Sequence, residues 1–228
     1  MILKNTKIKE KMSSLSTSKI LICIYTCERD IEHLNKLKDS EWYKKYSKYK
    51  NIQFVDVYSD HEIEEPYCYR NNELTVRTEE AYNNLSIKTY KMISACVELF
   101  DFDYLIKVDS AIIKDSYSYI DHRFSFAYFS ERFKSGKIIK NYGGCCPILG
   151  TTVDSLGVWA KSKEMEVSPS IFLMSLGVDP PEHYWAGSCY CLSRANCQKV
   201  LEQEDVFIKA KDYMAGIEDM SIGVCMSS

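Results

Sequence analysis

No apolar run in this 228-residue sequence is longer than residues 20–25, far short of the roughly 20 residues a helix needs to cross a bilayer. Nothing near Met1 resembles the apolar core of a signal peptide. An excess of one charge is missing as well. Twenty-nine Lys and Arg stand against 32 Asp and Glu, and a net charge of −3 supplies no field for gripping a phosphate backbone, so nucleic acid is disfavoured as a partner. Only 9 Gly and 5 Pro occur, without repeats, which sets aside collagen-like and low-complexity classes. Ten cysteines are present but paired CxxC knuckles are not. The expected location is the cytoplasm, free or peripheral at a membrane, unless the chain is a domain excised from a longer protein.

What remains is an ordinary globular composition, 46% hydrophobic and 27% charged, in a chain long enough to bury a full core. Cysteines such as Cys23, Cys96 and Cys225 fall within apparent strands and helices, where a thiol acts as a small buried hydrophobe, so they are expected to be reduced. His183, Cys189, Cys191 and Cys197 have a spacing that can be read as a zinc site, but Cys189 and Cys191 should share one strand face, and packing is the preferred reading. Cys145 and Cys146 follow Gly143 and Gly144 in an expected loop, with no His close by to act as a base.

Residues 1–18 hold four lysines and little apolar periodicity, and read as a flexible leader; residues 19–228 form the domain. The run 19–26, apolar and β-branched, suits a strand buried on both faces of a parallel sheet. A charged helix over 31–49 and a strand over 52–58 complete a β-α-β start, followed by an acidic turn at 60–66. Apolar spacing predicts a long helix between 78 and 100, with strands at 104–108 and 124–129. Residues 143–152 and 168–184 read as irregular, Ser193 as the N-cap of a helix to about 204, and 217–226 as a final helical turn or two. The expected fold is α/β, a mixed, mostly parallel sheet flanked by helices.

In open α/β sheets ligands gather beyond the carboxyl ends of the strands. Asp109 stands immediately after the strand 104–108 and can take a metal ion that escorts a diphosphate, or accept hydrogen bonds from a sugar; an ordinary solvated aspartate is the plain alternative. Asp101 and Asp103 lie at the amino end of that strand and do not help it. Glu218 and Asp219 enter a helix, which acidic residues also do for dipole reasons alone. The aromatic and glycine segment 183–193 suits a sugar ring, or equally the edge of a core.

Taken in order, these pieces resemble a family. Tyr82-Asn83-Asn84-Leu85-Ser86-Ile87-Lys88-Thr89, then Lys107-Val108-Asp109, then Trp185-Ala186-Gly187-Ser188-Cys189-Tyr190-Cys191-Leu192-Ser193, then Ile217-Glu218-Asp219-Met220-Ser221-Ile222-Gly223 are similar to the motifs of the fringe-like β-1,3-glycosyltransferases, which include the β-1,3-galactosyltransferases. The resemblance implies a GT-A fold with Rossmann-like character, a nucleotide-sugar donor, a glycan or glycoconjugate acceptor, and inversion at the anomeric carbon. It makes Asp219 the general base with Glu218 beside it, and Asp109 the carboxylate that holds a divalent cation, Mn or Mg. Two departures accompany it. Ser110 and Ala111 stand where the family has its second and third acids, and all four His (His33, His61, His122, His183) precede the Glu218-Asp219 motif, where the family places a metal-binding His after it. The Golgi-type membrane anchor and luminal disulfide pairs usual in animal members are not found in the sequence either.

The expectation is an inverting hexosyltransferase using a UDP-sugar. Thr26, Arg29, Lys88, Asp109 and Arg194 are assigned to the donor, and Trp185, Gly187 and Ser188 to the acceptor. Lys88 and Arg194 share the diphosphate charge where the acidic motif is incomplete, with solvated helix charges as their plain alternative. A non-catalytic carbohydrate-binding domain with the same fold is the runner-up. A nucleotidyltransferase ranks third, because no Gly-rich phosphate loop follows residues 19–26.

Overall fold

The structure is a computed structural model that describes residues 18–110, 142–144, 147–149, 169–178, 181, 183–185, 189–213 and 217–227. The expected leader, apart from Ser18, and the expected strand at 124–129 lie outside these residues. A single α/β domain is built on a seven-stranded mixed sheet in the order β3-β4-β2-β1-β5-β9-β6, with β7 and β8 as a separate antiparallel pair. The strands are β1 Ile20–Tyr25, β2 Ile52–Ser59, β3 Tyr67–Arg70, β4 Glu73–Val76, β5 Tyr104–Asp109, β6 Tyr142–Gly144, β7 Pro147–Leu149, β8 His183–Trp185 and β9 Cys189–Ser193. Strands β4, β2, β1 and β5 run parallel; β9 is antiparallel to both β5 and β6, and β3 to β4.

All six residues of β1 are buried, because helices cover the sheet on both sides. Leu21, Cys23, Tyr25, Val55, Val57, Leu105, Tyr190 and Leu192 face one core, closed by α3 Leu85–Leu99, α4 Pro169–Leu176, α5 Arg194–Leu201, α6 Glu204–Asp212 and α7 Glu218–Ser227. Ile20, Ile22, Ile24, Phe54, Ile106, Val108, Cys189 and Cys191 face the other, where α1 Ile31–Asp39 and α2 Glu41–Tyr46 contribute Leu34, Leu37, Trp42 and Tyr46. This is the period-2 division of a doubly covered sheet. It also separates the residues of the zinc reading, since Cys189 and Cys191 face one core and Cys197 the other.

Several elements differ from the sequence expectation for identifiable reasons. The helix expected over 31–49 is broken at Ser40, whose extended backbone (ψ 150°) ends α1 and whose Oγ caps α2 by accepting the Tyr43 N–H at 3.2 Å. The hairpin β3–β4 was not expected; Asn71 and Asn72 turn it with φ of 54° and 65°, the paired left-handed conformation of a type I′ turn, which asparagine tolerates. Part of the stretch expected to be irregular is the apolar helix α4, opened by Pro169 at its first position. The helix after Ser193 stops at Leu201 and α6 follows as a second helix. The expected capping role of Ser193 is present, its Oγ accepting the Asn196 N–H at 3.2 Å.

From β1 the chain moves outward to β2, β3 and β4 and then returns to place β5 on the other side of β1. The β1/β5 boundary is therefore the switch point at which connections diverge, the place beyond whose carboxyl ends open α/β sheets bind ligands.

Candidate functional site

Register places Tyr25 opposite Asp109 at the carboxyl ends of β1 and β5. Two residues earlier, Lys107 points into the helical core, next to Cys23 on one neighbouring strand and Tyr190 on the other. Its ammonium is buried, 2.6 Å from Asp109 Oδ1 and 3.1 Å from Glu218 Oε1, and lies 4.6 Å from the centroid of the Tyr25 ring and 5.8 Å from that of Tyr190. A lysine in a strand interior survives only with such partners, because an isolated buried charge is far too costly. Burial pulls the Lys107 ammonium down, but Asp109 and Glu218 outweigh it and the net shift is upward.

A second buried ammonium lies beside the first. Lys88, on the first turn of α3, donates to the Thr26 carbonyl at 3.0 Å and to Glu80 Oε2 at 2.7 Å, and sits 5.3 Å from the Tyr25 ring centroid. Glu80 Oε2 also accepts the Ser59 hydroxyl at 2.5 Å, which ties in the end of β2. Burial lowers the Lys88 pKa and Glu80 opposes that. Tyr25 donates to Thr89 Oγ1 at 2.9 Å, and burial holds its hydroxyl well above the usual range. Two polar clusters, Ser59–Glu80–Lys88–Thr26 and Asp109–Lys107–Glu218, thus flank the Tyr25 ring, which both ammoniums approach, at the ends of β2, β1 and β5 and the starts of α3 and α7.

Around these clusters stand groups open to solvent. The Asp109 side chain keeps 37% of its surface exposed. Burial raises its carboxyl above the ordinary carboxylate range, Lys107 offsets part of that, and the Glu218 charge adds to it. Glu218 is 6% exposed, whereas Asp219 is half-buried and its Oδ1 accepts the Met220 N–H at 2.8 Å. Tyr82 is 50% exposed, and its hydroxyl is raised first by burial and then by the charges of Glu218, Asp219 and Asp109, which places the ring at the mouth of the same site. The position after Asp109 is Ser110 and offers no carboxylate; its hydroxyl is buried without a hydrogen-bond partner among the described residues.

The structure brings together Thr26, Lys88, Asp109, Glu218 and Asp219 from the sequence-derived set. Arg29 is exposed on the 3-10 turn Glu28–Asp30 that follows β1. Arg194 does not join them, and its donor assignment is corrected. It follows β9 at the opposite end of the sheet, donates to the carbonyls of Phe100 at 2.8 Å and Val97 at 2.7 Å, and stacks on Phe102. Its guanidinium closes the end of α3, a role set by the antiparallel direction of β9. Trp185 lies in β8, which packs against α7; Gly187 and Ser188, like Cys145, Cys146 and Ala111, are outside the described residues. Sequence reading missed Lys107, Tyr25, Glu80 and Tyr82 as site residues. A lysine within an otherwise apolar strand was the available signal for the first. Among the described residues no group of three His, Cys, Asp or Glu converges as a metal cage, and no helix is long and apolar enough to cross a membrane. No family model and no curated protein matches the chain.

Proposed function

We propose that this chain is an inverting glycosyltransferase that moves a sugar from a nucleotide-sugar donor, a UDP-sugar, to a hydroxyl of a glycan or glycoconjugate. The observation that carries the reading is the junction at Lys107. Motif pieces at 107–109 and 217–223, far apart in sequence, are joined at the switch point by one ammonium bound to Asp109 and Glu218, and Lys88 of the piece 82–89 approaches the same Tyr25 ring as that ammonium. In this reading Asp219 takes the proton of the acceptor hydroxyl while its oxygen bonds to the anomeric carbon and the bond from that carbon to the diphosphate breaks. Asp219 suits the role better than Glu218, because it reaches solvent while Glu218 is committed to Lys107. The exposed Tyr82 ring offers an apolar face to a base or sugar. Thr26, Arg29 and Lys88 border the site on the β1 side.

Asp109 is already paired with Lys107, so in this reading a magnesium or manganese ion arrives on the diphosphate and keeps most of its water, since such ions need only one or two carboxylates besides substrate phosphates. Asp109 would hold it, and the ion would supply positive charge to the departing diphosphate.

A non-catalytic carbohydrate-binding domain is the second reading, favoured by the hydroxyl of Ser110 where an acid would strengthen a cation site. Incubation with UDP-, GDP- and TDP-sugars, monitored for donor hydrolysis and transfer, separates the two. Turnover that falls about 10²- to 10⁴-fold in Asp219→Asn, with donor affinity nearly unchanged, supports the enzyme. Sugar binding without turnover supports the second reading. Calorimetry in which Asp109→Ala binds UDP with Mg or Mn as tightly as the parent would remove Asp109 from the donor site.

A further inference from the structure

We infer that the amino end of the sheet, the end remote from the candidate site, docks on an anionic lipid bilayer. Charge is strongly segregated along this chain. Residues 36–50 carry six lysines (Lys36, Lys38, Lys44, Lys45, Lys48 and Lys50) against Asp39 and Glu41, in a protein whose net charge is −3. The rest of the molecule is correspondingly acidic, with Asp101 and Asp103 near the same end beside Lys19, so the segment 36–50 is a local reversal of sign rather than part of a general basicity.

The fold presents that charge on a fixed platform. Trp42 and Tyr46 are buried against Phe54 and anchor α2, which leaves Lys44 and Lys45, then Lys48 and Lys50, exposed. Glu41, Lys44, Lys45, Lys48 and Tyr49 line an open depression of about 510 Å³, and Tyr49 is 51% exposed at its edge. Long lysine stems around an amphipathic aromatic ring suit the level of lipid headgroups, where ammonium groups reach phosphates and tyrosine sits at the boundary.

A second, independent observation points to the same end. Asn51 donates through its side chain to the Ser18 carbonyl at 2.7 Å, and its own carbonyl accepts the Ile20 N–H at 2.8 Å. Ser18, the first described residue, is therefore held beside Lys50 at this end of the sheet. In sequence the residues before it carry Lys4, Lys7, Lys9 and Lys11 against a single acid, Glu10. Polybasic clusters of this size are drawn to anionic leaflets. Strands β1 and β5 run away from that end, so a docked molecule turns their carboxyl ends outward, about 20 Å further from the lipid by the rise of a six-residue strand.

Flotation of the full chain with vesicles tests this, using phosphatidylcholine alone and phosphatidylcholine with one-third phosphatidylglycerol at low salt. The expected result is binding to the anionic vesicles only, lost above about 0.5 M salt, where screening is nearly complete. The variant Lys44→Glu/Lys45→Glu/Lys48→Glu is expected to bind on the order of 100-fold more weakly, since each lysine at the surface contributes about a factor of five. A charge-matched control, Lys199→Glu/Lys209→Glu/Lys211→Glu, should bind like the parent, with circular dichroism reporting the folding of both. Equal binding by parent and patch variant, binding to neutral vesicles, or salt-resistant binding overturns the inference. So does preference of the parent for a single-stranded oligonucleotide over anionic vesicles, which would make nucleic acid the partner. Should the triple variant fail to fold, Lys44→Gln/Lys48→Gln, which removes charge without reversing it, takes its place, and binding by it equal to the parent's overturns the inference in the same way.

Discussion

Lys107 has two carboxylate partners of unequal standing: Glu218 is 7% exposed on its side chain and Asp109 37%. Replacing the lysine by methionine strands a buried carboxylate. The expected loss is about 3–5 kcal/mol, the range for removing one partner of a buried pair. Glu218→Gln leaves the ammonium paired with Asp109 and should cost less, about 1–3 kcal/mol. Urea denaturation of both variants checks the ranking, and a Glu218→Gln that unfolds more readily than Lys107→Met would reverse it. Asp56, in β2, provides a residue-scale test by pH. It is 4% exposed, and burial raises its carboxyl above the ordinary carboxylate range; its ion pair with Lys38 opposes that shift and nearby Glu73 adds to it. A raised native pKa means that the native state binds the proton more tightly. The stabilisation is complete below the ordinary range and is lost as pH rises through the raised value. Parent stability measured against Asp56→Asn should therefore fall as pH rises through and beyond the ordinary carboxylate range. If the parent instead gains on the variant over that interval, Lys38 dominates the environment of Asp56 and the account of its burial is wrong.

At the scale of elements, local side chains decide where helices and strands stop. Ser40 and Ser193 each accept an N–H three residues on and start a helix. Ser193→Ala should cost about 1 kcal/mol of stability, the usual value of an N-cap hydroxyl, read as a lower midpoint in urea with an unchanged slope. The β3–β4 turn makes the opposite prediction. Asn72→Gly should leave stability the same or slightly higher, because φ of 65° costs glycine nothing, whereas Asn72→Val should lose about 1–2 kcal/mol by forcing a β-branched residue into the left-handed region. The segment 67–76 escaped sequence reading because tyrosines and an arginine at a sheet edge carry little alternation, and an Asn-Asn pair is a weaker turn signal than Asn-Gly. The break at Ser40 escaped it for a different reason. Apolar side chains on both sides of the break point to the same core, so the helical pattern continues across a backbone that does not.

For the molecule as a whole, the seven cysteines Cys23, Cys27, Cys96, Cys189, Cys191, Cys197 and Cys225 are buried, and Cys68 is half-buried near the sheet edge. Thiol titration should detect ten thiols after denaturation, while these seven should remain unreactive until the fold opens. Fewer than ten in protein prepared without oxidant would mean that disulfides form. By itself the sequence determined the apolar strand 20–25, the strand ending at Asp109, the long helix that carries Lys88 and the capping role of Ser193, because each depends on burial pattern or hydrogen bonds within a few residues. Position at element ends also marked Asp109, Glu218 and Asp219 as candidates, while Lys88 and the roles of the acidic pair came from the resemblance to a family. Only the tertiary structure decided that Lys107 holds Asp109 and Glu218 together, since its second carboxylate comes from 111 residues away and is delivered by the packing of α7. Only strand direction decided that Arg194 belongs to the other end. Short-range order follows from local side chains, whereas the pairing of a buried charge depends on which distant element closes over it.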